Sequence, residues 1–241
     1  MKNYGLIGHP LSHTFSPAYF AKKFEEEKID ASYEAFDLPD LDNLREFIES
    51  KNLSGFNITT PYKKAMRRKC DEIDPLAKRI GAVNTVKIVD GKWIGSNTDI
   101  LGFRKSLKDQ IGYKRAAAIV LGTGGASLAV KSALELMSIP YLVVSRNTRS
   151  GDLSYNGLTK RIFEQYNLII NTTPVGMSPN VNNAPDIPYD LLTESHYVFD
   201  LVYNPEKTKF LKLAETQGAS IQNGLEMLHQ QAEESWKIWS K

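Results

Sequence analysis

The chain has 241 residues, 41% hydrophobic and 24% charged, a composition that excludes disordered and fibrous classes and allows one large domain or two small ones. Lys and Arg number 30 against 28 acids, a formal charge of +2, too small an excess for a dedicated nucleic-acid binder. Cys70 is the single cysteine, so no internal disulfide can form, and no apolar run is long enough to span a bilayer.

In chain order, residues 4–8 read as a short buried strand, and Gly5, Gly8 and Pro10 interrupt the run too early for a secretory leader. A helix is predicted over 17–28, with Ser16 as its N-cap and Pro17 at the first helical position. Residues 32–37 alternate as a strand, 40–50 have helical spacing at Leu41, Leu44, Phe47 and Ile48, and 53–58 form a further strand. Thr60-Pro61 predicts a capped helix to about Cys70, and Asp74-Pro75 opens a short one. Asp90-Gly91 between the apolar runs 83–89 and 92–95 is a hairpin signal. A helix over 98–108 is expected to end at Gly112-Tyr113. A second series then starts at Ala116: strand 116–121, glycine-rich turn, helix 125–137, strand 141–144, strands 168–171 and 197–201, and helices 206–217 and 224–239. This alternation predicts an α/β protein with parallel sheets. It is expected to form two domains, 1–97 joined by the C-terminal helix 223–241, and 98–222, with a ligand site in the cleft between them.

The turn Gly122-Thr123-Gly124-Gly125-Ala126-Ser127 follows an apolar strand and opens a helix. Glycines there permit a tight turn and close backbone approach, and the helix N-terminus offers free N–H groups to a pyrophosphate. A plain structural turn explains such a short motif equally well. The next strand ends Val143-Val144-Ser145-Arg146-Asn147-Thr148, without the acid that would hold a ribose 2′-hydroxyl. Arg146 suits a 2′-phosphate instead, which favours NADP over NAD; alone, it would read as an exposed loop arginine.

Four polar segments stand where strands end: Gly8-His9-Pro10-Leu11-Ser12-His13-Thr14-Phe15-Ser16-Pro17, Gly55-Phe56-Asn57-Ile58-Thr59-Thr60-Pro61-Tyr62-Lys63, Gly81-Ala82-Val83-Asn84-Thr85-Val86 and Gly95-Ser96-Asn97-Thr98-Asp99. Hydroxyls, amides, one Lys and one Asp in such places suit a small polyhydroxylated acid. Each also has a plainer reading. Lys63 heads a basic run through Lys69 that could be a solvated helix face. Asn84 and Thr85 could be ordinary strand-end residues, Asn97-Thr98 a helix cap, Asp200 a strand-end acid and Gln231 an exposed helix residue. His9 and His13 lie in a proline-bounded loop with no acid or Cys beside them, so no metal is expected. Trp236 and Trp239 read as core.

Together these segments resemble the shikimate dehydrogenase family: G-x-P-x-x-H-[ST]-x-S-P at 8–17, G-x-N-[VI]-T-x-P-x-K at 55–63, I-G-A-V-N-T at 80–85 and G-x-N-T-D-x-x-G at 95–102. The likeness continues through the 122–126 turn, Asn171-Thr172-Thr173-Pro174-Val175-Gly176-Met177, Asp200-Leu201-Val202-Tyr203-Asn204-Pro205 and the segment 224–232. The resemblance implies an N-terminal α/β substrate domain, a Rossmann-type NADP-binding domain, and reduction of 3-dehydroshikimate to shikimate with NADPH, a step of aromatic amino acid biosynthesis. It implies that Thr14 and Ser16 bind the substrate carboxylate, Thr14 standing where the family usually has Ser. Thr59, Asn84, Asp99 and Gln231 would bind ring hydroxyls, and Tyr203 would close over the substrate. Lys63 would be the catalytic acid/base, paired with Asp99. Gly122, Thr123, Gly124, Gly125 and Ala126 would hold the pyrophosphate, and Ser145, Arg146, Asn147 and Thr148 the 2′-phosphate end. Met177, Leu201 and Gly224 would lie near the nicotinamide.

Hydride addition turns a ketone into an alkoxide, and an ammonium group can stabilise that charge and deliver its proton. Domain closure is expected to exclude water first. The expectation is thus a cytoplasmic, NADP-dependent oxidoreductase, monomer or homodimer, with small-molecule partners and neither nucleic acid nor membrane. Two alternatives remain: a quinate/shikimate dehydrogenase with relaxed substrate or cofactor choice, and a non-catalytic ligand-binding homologue, which would need no proton donor.

Overall fold

The computed structural model describes residues 1–11, 14–111, 116–147 and 149–241. They divide into two compact units, Met1–Thr98 with Ala232–Lys241, and Asp99–Gln231. The first unit holds strands β1 (Lys2–Gly8), β2 (Ala31–Asp37), β3 (Leu53–Ile58), β4 (Glu72–Ile73), β5 (Thr85–Val89) and β6 (Lys92–Ser96), in the order β2-β1-β3-β5-β6-β4. β1 runs parallel to β2 and β3, but β5 is antiparallel to both its neighbours. The sheet is therefore mixed, where repeated βα units predict parallel strands. The cause is the Asp90-Gly91 turn: φ of 50° and 75° at its two residues folds β6 directly back on β5 with no crossover.

The helices of this unit are α1 (Ser16–Glu26), α2 (Leu44–Ser50), α3 (Lys63–Met66) and α4 (Pro75–Ile80). Ser16 is not the N-cap of α1. Phe15 takes that place with no side-chain cap, and Ser16 is buried beside Tyr33. α2 begins four residues later than its apolar spacing predicts. The Asp40 carboxylate accepts the Asp42 N–H at 2.8 Å and Asn43 is left-handed, a turn that competes with the helix. α3 stops at Met66 instead of near Cys70, and Tyr62 rather than Thr60 precedes it. The chain is drawn off to the sheet edge, where the Asp71 and Asp74 N–H groups bond the carbonyls of Trp93 and Gly95. β4, absent from the sequence reading, is the result. α4 starts as expected, with Asp74 capping the Ala77 N–H at 2.7 Å.

The second unit carries β7 (Ala118–Leu121), β8 (Tyr141–Val144), β9 (Leu168–Asn171), β10 (Tyr197–Asp200) and β11 (Ser220–Gln222), all parallel, in the order β11-β10-β9-β7-β8. Its central strands β7 and β9 are buried at every position, which is why they read as continuous apolar runs. Its helices are α5 (Asp99–Ile111), α6 (Gly125–Leu136), α7 (Lys160–Gln165), α8 (Lys209–Thr216) and the start of α9 (Leu225–Ser240), which ends in the first unit. The expected stop at Gly112-Tyr113 lies outside the described residues. α7 and β11 went unpredicted; α7 buries Phe163 alone, and β11 has three residues.

The first unit's core includes an aromatic cluster of Tyr4, Phe20, Phe24, Tyr33 and Trp239. Trp239 stacks on Tyr4 at 4.7 Å and donates to the Val86 carbonyl at 2.9 Å. A Cβ at Gly55 would fall 2.5 Å from its indole nitrogen. In the second unit, Ile119, Leu121, Ile169, Val198 and Phe210 form the corresponding centre. Both sheets reverse direction of growth beside a parallel strand: β1 lies between β2 and β3, and β7 between β8 and β9. Ligands of open α/β sheets bind beyond the carboxyl ends of strands at such switch points. The polar loop after Gly8 and the glycine turn after Leu121 occupy these two places.

Candidate active site

In the first unit the carboxyl ends of β1, β3 and β6 share a rim with the amino end of β5. Asn84 precedes β5 rather than ending a strand, and antiparallel pairing brings it to that rim, where its carbonyl accepts the Ile58 N–H at 2.8 Å. Beneath the rim lies a buried polar network that the sequence did not reveal. Ser16 is buried beside the Tyr33 phenol, whose hydroxyl donates to Asn57 Oδ1 at 2.8 Å. Asn57 Nδ2 lies 3.1 Å from the Asn84 carbonyl and 3.0 Å from both Thr85 Oγ1 and Ser235 Oγ. Asn84 Oδ1 accepts the Thr98 N–H at 2.8 Å. One continuous set of bonds thus fixes Asn84, a predicted substrate residue, and runs up to the Tyr33 phenol beside Ser16. The advance signal was an amide, Asn57, between the apolar residues Phe56 and Ile58 of β3.

Lys63 is half-buried at the start of α3, whereas Lys64, Arg67, Arg68 and Lys69 are exposed. Its carbonyl accepts the Val83 N–H at 2.9 Å. Lys63 and Thr98 are therefore tethered to consecutive residues, Val83 and Asn84, although 35 positions separate them in sequence (63 to 98). Thr14 and Thr59 are half-exposed on the same unit. The loop after β1 is anchored by Asp37, which accepts His9 Nδ1 at 2.6 Å and the Leu11 N–H at 2.9 Å. Those bonds, the Leu11 one foremost, hold the Asp37 carboxyl below the usual range. His13 lies outside the described residues.

In the second unit Gly122 has φ 105°, and a Cβ there would lie 2.7 Å from Thr173 Cγ2. Only glycine serves at that turn. At Gly124 and Gly125 an added Cβ would meet nothing within 4 Å, so their backbone borders open space at the N-terminus of α6. No side chain caps that end and no acid stands in its first turn. Arg146 and Asn147 are exposed just past β8, and Ser145 is buried, accepting the Asn147 N–H at 3.2 Å. An acid does approach this strand, Asp152, but its carboxylate takes the Val143 N–H at 2.8 Å. Thr148 lies outside the described residues. An anion beside the glycine turn and a phosphate near Arg146 both fit this arrangement.

Asp99 opens α5 and Gln231 lies on α9, both half-buried. Gly102, one turn after Asp99, would with a Cβ stand 2.9 Å from the Gln231 nitrogen, so its bare backbone lets the two helices meet. At the ends of β9 and β10, Asn171 and Asp200 form a buried pair 2.9 Å apart. The segments they organise carry Met177, which is exposed, Leu201 and the half-buried Tyr203, whose phenol burial pushes upward. Gly224 packs against the Leu201 backbone, where a Cβ would be 2.1 Å from its carbonyl oxygen.

A family profile described as shikimate dehydrogenase substrate binding domain matches residues 6–86. The shikimate dehydrogenase (NADP(+)) of Staphylococcus haemolyticus is 40% identical over 248 residues, covering 98% of this chain and 92% of that protein. The chain belongs to the shikimate dehydrogenase family. Among solved structures, the Thermus thermophilus shikimate 5-dehydrogenase in complex with NADP(H) and shikimate has a TM-score of 0.88 and 34% identity, covering 100% of this chain and 94% of that one. A 5-ketofructose reductase of Gluconobacter sp. strain CHM43 matches with the same TM-score, 0.88, at 28% identity, over 99% of this chain and 92% of that one. The family's two-part plan, a substrate-binding portion followed by a Rossmann-type portion, is the α/β architecture the sequence implied. Among the described residues no helix is long and apolar enough to cross a membrane, and no cluster of His, Cys, Asp and Glu could hold a metal.

Proposed function

We propose that this chain is an NADP-dependent oxidoreductase that interconverts 3-dehydroshikimate and shikimate in the cytoplasm, as part of the shikimate pathway. The observation that carries the reading is full-length kinship with shikimate dehydrogenases combined with a polar rim of the composition such a substrate requires.

Thr14 and Ser16 receive the substrate carboxylate, and Thr59, Asn84, Asp99 and Gln231 receive ring hydroxyls. Donors built for hydroxyls reject analogues that lack them, because the site's polar groups would then stay unpaired. Tyr203 covers the bound substrate. Gly122 to Ala126 cradle the pyrophosphate, Ser145 to Thr148 hold the 2′-phosphate end, and Met177, Leu201 and Gly224 flank the nicotinamide. NADPH, when bound, supplies the hydride. Lys63 delivers a proton to the nascent alkoxide oxygen, and Asp99 holds the neighbouring hydroxyl in register. The half-burial of Lys63, alone in its basic run, supports this assignment. It also favours an enzyme over a ligand-binding homologue.

The test is the absorbance of reduced nicotinamide on mixing the protein with shikimate and NADP⁺, with NAD⁺ and quinate in parallel. Turnover greatest with shikimate and NADP⁺ is the expected result. No turnover with any pair would overturn the reading, and equal rates with quinate would move it to the relaxed-specificity alternative.

A further inference from the structure

Asp200 is fully buried at the carboxyl end of β10. Its Oδ1 accepts from Asn171 Nδ2 at 2.9 Å and from the Val202 N–H at 3.0 Å. Its Oδ2 accepts the Thr208 hydroxyl at 2.6 Å. Asn171 in turn takes the Thr173 N–H at 3.0 Å and the Thr173 hydroxyl at 2.6 Å on its own Oδ1. Thr208 caps α8 through the Leu211 N–H. One carboxylate therefore joins three segments: the loop after β9, the turn after β10 and the start of α8.

These segments lead to the residues assigned above to the nicotinamide. The loop after β9 runs through Thr173 and Val175 to Met177, and Ser178 is tied back to the Asn204 carbonyl at 3.1 Å. The turn set by Asp200 and Val202 presents the Leu201 backbone, against which Gly224 fits without room for a Cβ. The Gly224 N–H bonds the Val202 carbonyl at 3.3 Å. Arg146 makes no bond to this cluster among those described, whereas the glycine turn adjoins it, the Leu121 carbonyl accepting the Thr172 hydroxyl at 2.7 Å and Gly122 lying against Thr173.

We propose that Asp200 is a positioning residue for the nicotinamide end of the cofactor, setting Met177, Leu201 and Gly224 through Asn171, Val202 and Thr208. The inference rests on the dinucleotide assignment made above. A hydrophobic strand end would tolerate many residues at this place, but only an acceptor with two oxygens meets all three donors at once. Burial raises the carboxyl to about 6, and the three donors oppose that rise. The group is thus kept for its geometry at a cost in its own solvation.

The experiment compares NADP⁺ with 2′,5′-ADP, which has the adenosine and 2′-phosphate but no nicotinamide, by calorimetry on the wild type, Asp200→Asn and Thr208→Val. In Asp200→Asn the amide oxygen still serves Asn171 and Val202, and one bond must reverse toward Thr208, so the fold is preserved. Small displacements at a reacting centre are costly, so turnover and NADP⁺ affinity are expected to fall about tenfold, with 2′,5′-ADP affinity within about twofold of wild type. Thr208→Val, which removes one of the three donors, should give the same pattern at smaller size. Equal losses for both ligands, or no loss for either in both variants, would overturn the proposal. Wild-type protein that binds neither ligand would instead overturn the dinucleotide assignment itself.

Discussion

Arg146 stands exposed just past the end of β8, and Asp152, the acid that approaches this strand, is held back by the Val143 N–H. Charge-assisted hydrogen bonds to a phosphate contribute about 1.5–3 kcal/mol. Arg146→Asp is accordingly expected to weaken NADP⁺ binding roughly ten- to hundredfold and to shift the cofactor preference toward NADH, read as the ratio of kcat/KM for the two cofactors. An unchanged ratio would remove Arg146 from this role. The placement of Lys63 and Arg146 just past strand ends was legible in the sequence, because each follows a motif whose spacing marks such an end. Asn57 and Asp200 stand within motifs too, but nothing local to them marks a role. Their value lies in partners far along the chain, Ser235 for Asn57 and Asn171 for Asp200, and such pairings do not register in local spacing.

At the scale of the element, the last helix does more for the first unit than its position at the end of the chain suggests. Trp239 stacks with Tyr4 and bonds Val86, and Ser235 closes the network under Asn84. Trp239→Ala is expected to cost about 3–5 kcal/mol, as buried aromatic truncations do, and Asn57→Ala about 1–3 kcal/mol by removing one buried hydrogen-bond partner each from Tyr33, Thr85 and Ser235. Urea titrations of both variants check these values; a loss under about 0.5 kcal/mol for either, the range of ordinary surface changes, would contradict the packing described. Strands with strong apolar runs and the Asp90-Gly91 hairpin were readable in advance. The start of α2, the end of α3 and the two-residue β4 were not. In each of these a side chain or a sheet edge captured backbone groups that helical spacing alone would have kept in a helix.

For the molecule as a whole, its carboxyls pull stability in opposite directions as the pH falls. Asp37 and Asp71 are held below their ordinary range, the first mainly by the Leu11 N–H and the second mainly by Arg45. The stability they contribute is present above the unfolded value and is lost as pH falls through their folded values. Asp200 behaves inversely. With its folded value raised to about 6 from 3.8, the native state holds the extra proton between those values, so this group's contribution improves as pH falls from about 6 toward 3.8. Asp200→Asn should remove that component, and Tm measured across this interval should fall more steeply with acid in the variant than in the wild type. Parallel curves would show that Asp200 does not titrate there.

In the proposed reaction Lys63 moves the proton while other groups bind the substrate. The most direct measurement is the steady-state kinetics of Lys63→Met with shikimate and NADP⁺, alongside shikimate affinity by calorimetry. General acid–base help is worth about 10²–10⁴-fold, so turnover should fall by that order while the shikimate Kd stays close to the wild-type value. Turnover near the wild-type rate, or a loss of rate matched by an equal loss of affinity, would contradict it.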